Sequence, residues 1–139
     1  QDFHKFHPGG KLGQQLLRVR DLMHKAEELP ICGPDMLMRD AIVVMAEKRF
    51  GCVGVVNSEN KLAGIVTDGD LRRHMAPDLL DKAVTEVMTL DPVTIEEDNL
   101  AAQALTLMNE TKITAVFVTG NDGLIGIAHV HDFLRAGVI

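Results

Sequence analysis

The sequence has no Trp, no Tyr and only five Phe among its 139 residues. Any core must therefore be aliphatic, with the seven Met as gap fillers. It has two Cys, Cys32 and Cys52, at no metal-ligand spacing. That is too few for a disulfide framework, and it favours a reducing compartment, the cytoplasm. Cys52 opens the apolar run "CVGVV", where a buried thiol is expected. No apolar run approaches the ~18 residues that a membrane span needs. Basic residues are in the minority, 14 Lys and Arg against 20 Asp and Glu, for a net charge of −6. This argues against nucleic acid as the main partner, which needs a basic face, but leaves room for a small phosphorylated ligand. Gly9, Gly10 and Gly13 follow no strand and have the wrong spacing for a phosphate loop. With no complete nucleophile–base set and no metal quartet, no stand-alone enzyme is expected. An initiator Met is also missing. The opening "QDFHKFHPGG" reads as part of a longer chain, so the lack of a signal peptide says little about the parent.

What the sequence does have is a repeat. "GIVTDGDLRR" at 64–73 and "GIAHVHDFLR" at 126–135 both begin Gly-Ile, and both place an Asp six residues on, followed by an apolar residue. Under a shift of 63 residues, Met38, Ala41, Ile42 and Met45 fall on Ala101, Ala104, Leu105 and Met108. Each set is the i, i+3, i+4, i+7 stripe of an amphipathic helix. Past the next hairpin the shift is 62, so Gly64, Asp70 and Leu71 fall on Gly126, Asp132 and Phe133. Upstream, "VRDLM" at 19–23 matches "VTEVM" at 84–88. Each copy reads as a short helical piece ending at Met23 or Met88, an extended stretch ("LPIC" or "PVTI"), and a helix over about 37–49 or 99–111. A hairpin turning at "NSENK" or "GNDG" follows, then a helix starting near Asp68–Asp70 or His131–Asp132. The predicted fold is α/β (α+β): two β-α-β-β-α repeats packed as a pseudo-twofold pair, the sheets sharing one core. A single three-stranded sheet would be marginal alone. The expected divisions are 1–18 as the tail end of a preceding domain and a linker, 19–78 as repeat one and 79–139 as repeat two.

A hairpin followed by "GIVTDGDLRR", after a helix ending "AEKRFG", resembles a CBS domain. The stretch from "DPVTIEEDNL" to "HDFLR" is similar to the second member of a tandem CBS pair. The resemblance covers about residues 19–139. It implies a regulatory module that binds adenosine-type nucleotides, with the Asp of a Thr/Ser-x-x-Asp signature holding the ribose hydroxyls. Those residues are Thr67 and Asp70 in copy one; in copy two His129 stands in place of the Thr and Asp132 is kept. The segment "DFHKFHPGGKLGQQLLRVRDLMH" is similar to the joint between a sugar-isomerase (SIS) domain and the CBS pair of bacterial arabinose 5-phosphate isomerases. That family converts ribulose 5-phosphate to arabinose 5-phosphate on the way to the lipopolysaccharide sugar Kdo. The resemblance implies a cytoplasmic, homotetrameric parent whose SIS domain is the partner of this chain and whose CBS pairs form a homodimer. It also gives His7 of "HPGG" a catalytic role in the full-length enzyme, and none in this chain without the upstream residues.

From the residues themselves, Asp70 and Asp132 suit two roles. A carboxylate in a first helical turn caps free backbone N–H groups, and it also accepts from both hydroxyls of a vicinal diol. Arg72 and Arg73, with paired donors, read as a phosphate clamp or as a solvated charged face. Copy two keeps only Arg135. His129 and His131 form an H-x-H that lacks an evident third ligand for a metal, and His129 reads as a ligand contact. No cofactor is required. The possible effectors are an adenine nucleotide or CMP-Kdo, and the rival reading is a structural dimerisation module that binds nothing.

Overall fold

The computed structural model describes residues 16–138, so His7 lies outside the described residues. The helix stripes form where the periodicity places them. The first repeat runs β1 (Ile31–Cys32), α2 (Met38–Lys48), β2 (Cys52–Val56), β3 (Leu62–Thr67) and α3 (Asp68–Arg73), preceded by a one-turn helix α1 (Val19–Leu22). The second runs β5 (Thr94–Glu96), α5 (Ala101–Thr111), β6 (Ala115–Gly120), β7 (Gly123–His129) and α6 (Val130–Arg135). Its preceding turn is α4 (Val84–Val87), followed by the short strand β4 (Thr89–Leu90). The mixed α/β class and the two β-α-β-β-α repeats are as the sequence predicts. Among the described residues, no helix is long and apolar enough to cross a membrane.

Each repeat pairs its first strand in parallel with the first strand of its hairpin. Ile31 stands opposite Gly54, and Thr94 opposite Phe117. Helices α2 and α5 both end in a left-handed residue, Arg49 and Lys112, although neither is Gly. That shared departure from the usual capping residue marks the repeat at backbone level.

The chain folds into two compact units, and they do not follow the repeats end to end. Of the described residues, the central unit takes Ala26–Val93 with Asn121–Leu124. The C-terminal unit takes the residues up to Lys25, Thr94–Gly120 and those from Ile125 on. Each repeat thus contributes its long helix and most of its hairpin to one unit and its lead-in segment to the other. In the C-terminal unit the lead-in of repeat one docks on α5: Ala101 N–H donates to Leu17 O at 2.8 Å. In the central unit the lead-in of repeat two makes the same bond to α2, Met38 N–H to Lys82 O, also 2.8 Å. Strand β4 then adds a fourth strand to the sheet, in the order β1-β2-β3-β4. Its counterpart in the other unit is a single antiparallel bridge, His24 to Ile127, beside the sheet β5-β6-β7.

Each unit has its own buried cluster. Met38, Ala41, Val53, Val55, Val66 and Val84 are fully buried in the central one. Val19, Ala101, Ala104, Met108, Val118 and Phe133 pack the C-terminal one. Aliphatic and Met side chains dominate both, as the lack of Trp and Tyr requires.

The repeated Gly of Gly-Ile has a steric reason. A Cβ on Gly64 would lie 2.6 Å from Met88 Sδ and 2.9 Å from Thr89 O. A Cβ on Gly126 would lie 2.6 Å from Met23 Sδ and 3.0 Å from His24 O. Both glycines therefore admit a lead-in segment against the sheet. Gly126→Ala and Gly64→Ala should each cost about 1–3 kcal/mol, the usual range for overpacking. Urea denaturation measures this, and an unchanged midpoint for both would show that the lead-ins do not sit where described.

Candidate functional site

Asp70 and Asp132 occupy the same place in their units. Each is the third residue of a short helix that follows a hairpin strand, and each is buried, at 2% and 8% exposure. In a protein with 20 acidic residues, two buried carboxylates must be held by donors, and both are.

Asp70 Oδ2 accepts from Thr67 N–H at 2.9 Å and from the Thr67 hydroxyl at 3.1 Å. The same hydroxyl accepts from Asp70 N–H at 3.3 Å, closing a capping box. Oδ1 accepts from the Thr89 hydroxyl at 2.7 Å and from Arg73 Nη2. Burial pushes the Asp70 carboxyl up. The bonds from Thr89, from the Thr67 backbone, from Arg73 and from the Thr67 hydroxyl outweigh it, and the net pKa lies below the ordinary value.

Asp132 is held by a parallel set. Its Oδ2 accepts from His129 N–H at 2.8 Å, and Arg135 Nη2 donates to Oδ1, also at 2.8 Å. Arg135 repeats Arg73, so the one arginine kept in both copies is the one that reaches its carboxylate. Arg72 is exposed on the same helix. Where Thr89 serves Asp70, His24 serves Asp132: its Nε2 lies 3.0 Å from each carboxylate oxygen. Since an ionised carboxylate only accepts, that nitrogen carries the proton.

His129 replaces Thr67 as the capping side chain. Its Nδ1 accepts from His131 N–H at 3.1 Å, and the two rings stack at 4.7 Å. Burial, then the neighbouring His131, pushes the His129 pKa down against the pull of Asp132. A neutral ring keeps the Nδ1 lone pair that the cap uses. Among the described residues, no three His, Cys, Asp or Glu stand where they could share a metal ion.

A carboxylate offers about four acceptor positions. Asp70 meets four protein donors, and Asp132 meets three, of which the His24 N–H is shared between both oxygens, so a diol that takes both oxygens competes with these donors. The loosest is the arginine arm, with side chains 64% exposed at Arg73 and 71% at Arg135. In the central unit a groove of about 360 Å³ runs between α2 and the start of α3, lined by Ile42, Met45, Ala46, Leu71, Arg49 and Asp68 among others. Asp70 is not part of its wall. Cys32 and Cys52 are both buried and free. Burial raises their pKa values to about 11 and about 12, with Asp68 adding to the rise at Cys52, so both are thiols at neutral pH.

Sequence comparison matches the CBS-domain family over residues 19–77 and again over 84–139. The chain belongs to the CBS-domain family, as a tandem pair. It is 42% identical over its whole length to the arabinose 5-phosphate isomerase KdsD of Yersinia pestis, and 40% identical to that of Escherichia coli K12. The chain spans 43% of the length of these relatives. A crystal structure of CBSX2 in complex with AMP superposes with a TM-score of 0.75 at 27% identity, over 87% of this chain and 96% of that one.

The lead-in partners of the carboxylates, Thr89 and His24, are the functional candidates that pattern reading misses. Their signal is present. The match of "VRDLM" with "VTEVM", carried one residue further, puts His24 opposite Thr89, two polar residues after the same Met.

Proposed function

We propose that this CBS pair is the regulatory, nucleotide-sensing part of an arabinose 5-phosphate isomerase, and that Asp70 and Asp132 receive the ribose hydroxyls of the effector. The observation that carries the reading is the pair of buried carboxylates at one repeated position, each gripped by an exposed arginine. Binding is then an exchange. The ribose hydroxyls replace the arginine on Asp70 or Asp132, and the released Arg73 or Arg135 turns to the phosphate, where its paired donors fit. Arg72 adds charge beside Arg73. Thr67 and His129 keep each carboxylate in place from the far side. AMP in the CBSX2 complex supports an adenine nucleotide as effector. CMP-Kdo also carries a ribose and a phosphate and would close a feedback loop on the pathway. The isomerase reaction itself, with His7, belongs to the cytoplasmic homotetramer in which the SIS domain joins this chain. We assign no catalysis to residues 16–138.

A second reading, a dimerising module that binds nothing, is favoured by one fact: both carboxylates are already hydrogen-bonded on each oxygen within their own chain. Thermal unfolding with AMP, ATP, CMP, CMP-Kdo, S-adenosylmethionine and arabinose 5-phosphate separates the two. A ligand at about 100 times its Kd adds roughly 2.7 kcal/mol, which raises the midpoint by several degrees. A shift with one nucleotide class is expected. No shift with any of the six would leave the dimerising module as the function.

A further inference from the structure

Apart from the Thr67 hydroxyl, which has no counterpart at Asp132, the two carboxylates differ in one donor, and that donor differs in where it sits in the chain. Thr89 comes from the lead-in of the second repeat, in mid-chain. His24 comes from the lead-in of the first repeat, which continues upstream through Leu17 and Leu16. His24 holds the C-terminal unit in two ways at once. Its backbone pairs with Ile127, with N–H to O at 2.8 Å and the return bond at 3.0 Å. Its ring spans both oxygens of Asp132. Charged and titratable groups close to it include Asp132 and Arg135 of α6, His129 at the end of β7, and His131 stacked on His129. The ring is 29% exposed on its side chain, so a ligand arriving at Asp132 meets it directly.

We propose that His24 is a latch: as one hydroxyl of a ligand diol replaces Arg135 on Asp132, the second displaces the His24 ring, which spans both oxygens, and loosens the lead-in segment from the C-terminal unit. Occupancy of Asp132 is then passed to the chain upstream of Leu16, and occupancy of Asp70 is not. The latch rests on the reading of Asp132 as a ligand carboxylate. His24 is a positioning residue that converts occupancy into freedom of the segment. At Asp70 the displaced hydroxyl of Thr89 frees only the mid-chain lead-in of the second repeat.

Amide exchange by NMR on the whole chain tests this, with AMP as the probe and calorimetry to report binding. AMP should speed exchange at Val19, His24, Ala101 and Ile127 by about tenfold, the order expected when a bond to a charged group is lost. Asp132→Asn should remove that response and Asp70→Asn should keep it. Without ligand, His24→Ala should speed the same amides, and His24→Gln, which keeps a neutral donor, should restore them. AMP that binds without changing these amides overturns the latch, as does a His24→Ala protein with unchanged exchange. If AMP does not bind at all, the ligand role of Asp132 fails and the signalling fails with it. The His24→Ala result then decides separately whether the tether exists.

Discussion

Asp70→Ala is expected to lose about 2–3 kcal/mol of stability at neutral pH, more than an ordinary cap. The substitution takes the acceptor from Thr67 N–H, Thr89 and Arg73 together. Arg73 is exposed and turns to water at little cost, so most of the loss falls on the half-buried Thr67 end of the capping box. Asp70→Asn should lose less, because one oxygen remains. The difference between wild type and Asp70→Asn must also depend on pH with a definite sign. The Asp70 pKa is lowered in the fold, so its ionised form stabilises above the ordinary carboxylate value of 3.8. That contribution declines as the pH falls below 3.8 and is gone once the pH has passed through the lower, folded value. Thermal midpoints of the two proteins should therefore converge in acid. A gap that stays constant down to about pH 2 would mean that the charge of Asp70 contributes nothing to stability.

Phe133→Ala should have the largest effect on stability of any substitution discussed, about 3–5 kcal/mol. Phe133 is fully buried in the C-terminal cluster, among Val19, Ala101, Ala104, Met108 and Val118. It is also next to Asp132, on the short helix that presents the carboxylate. Among the described residues, the cluster around it holds no second aromatic ring. The thermal midpoint should fall on the order of 10 °C or more. Phe133→Leu, the type found at the matching Leu71, should cost far less. Equal losses for Ala and Leu would mean that the site collapses around the smaller side chain.

The elements were legible because their causes are local. The stripe of Met38, Ala41, Ile42 and Met45 predicts α2, and Met38, Ala41 and Met45 are buried there, while Ile42 is half-buried beside the groove. The matching stripe in α5, Ala101, Ala104, Leu105 and Met108, is buried in full. The Asn-rich and Gly-rich turns place both hairpins. The exchange of lead-in segments was not legible, because periodicity says what an element is and not which sheet it joins. Strand β4 is two residues long and both are exposed, so it leaves no hydrophobic pattern. The partners of the carboxylates were hidden for the same reason: His24 meets Asp132 across 108 residues and Thr89 meets Asp70 across 19. The capping roles of Thr67 and His129 were within reach of sequence, since Thr67 stands three residues before a carboxylate at a helix start. That an imidazole takes the cap at His129 was not, because it depends on a neutral Nδ1 aimed at His131 N–H.

Asp70 and Asp132 are expected to bind ribose hydroxyls. Calorimetry tests this most directly, using the nucleotide that stabilises the protein best and its 2′,3′-dideoxy analogue. Both ligands are titrated into the wild type and into the Asp70→Asn, Asp132→Asn double variant. Loss of the hydroxyls should weaken wild-type binding roughly 10- to 100-fold, the worth of hydrogen bonds to a charged group, and should make little difference to the double variant. Equal affinity of the wild type for both ligands would contradict the account, and the repeated carboxylates would then be helix caps alone.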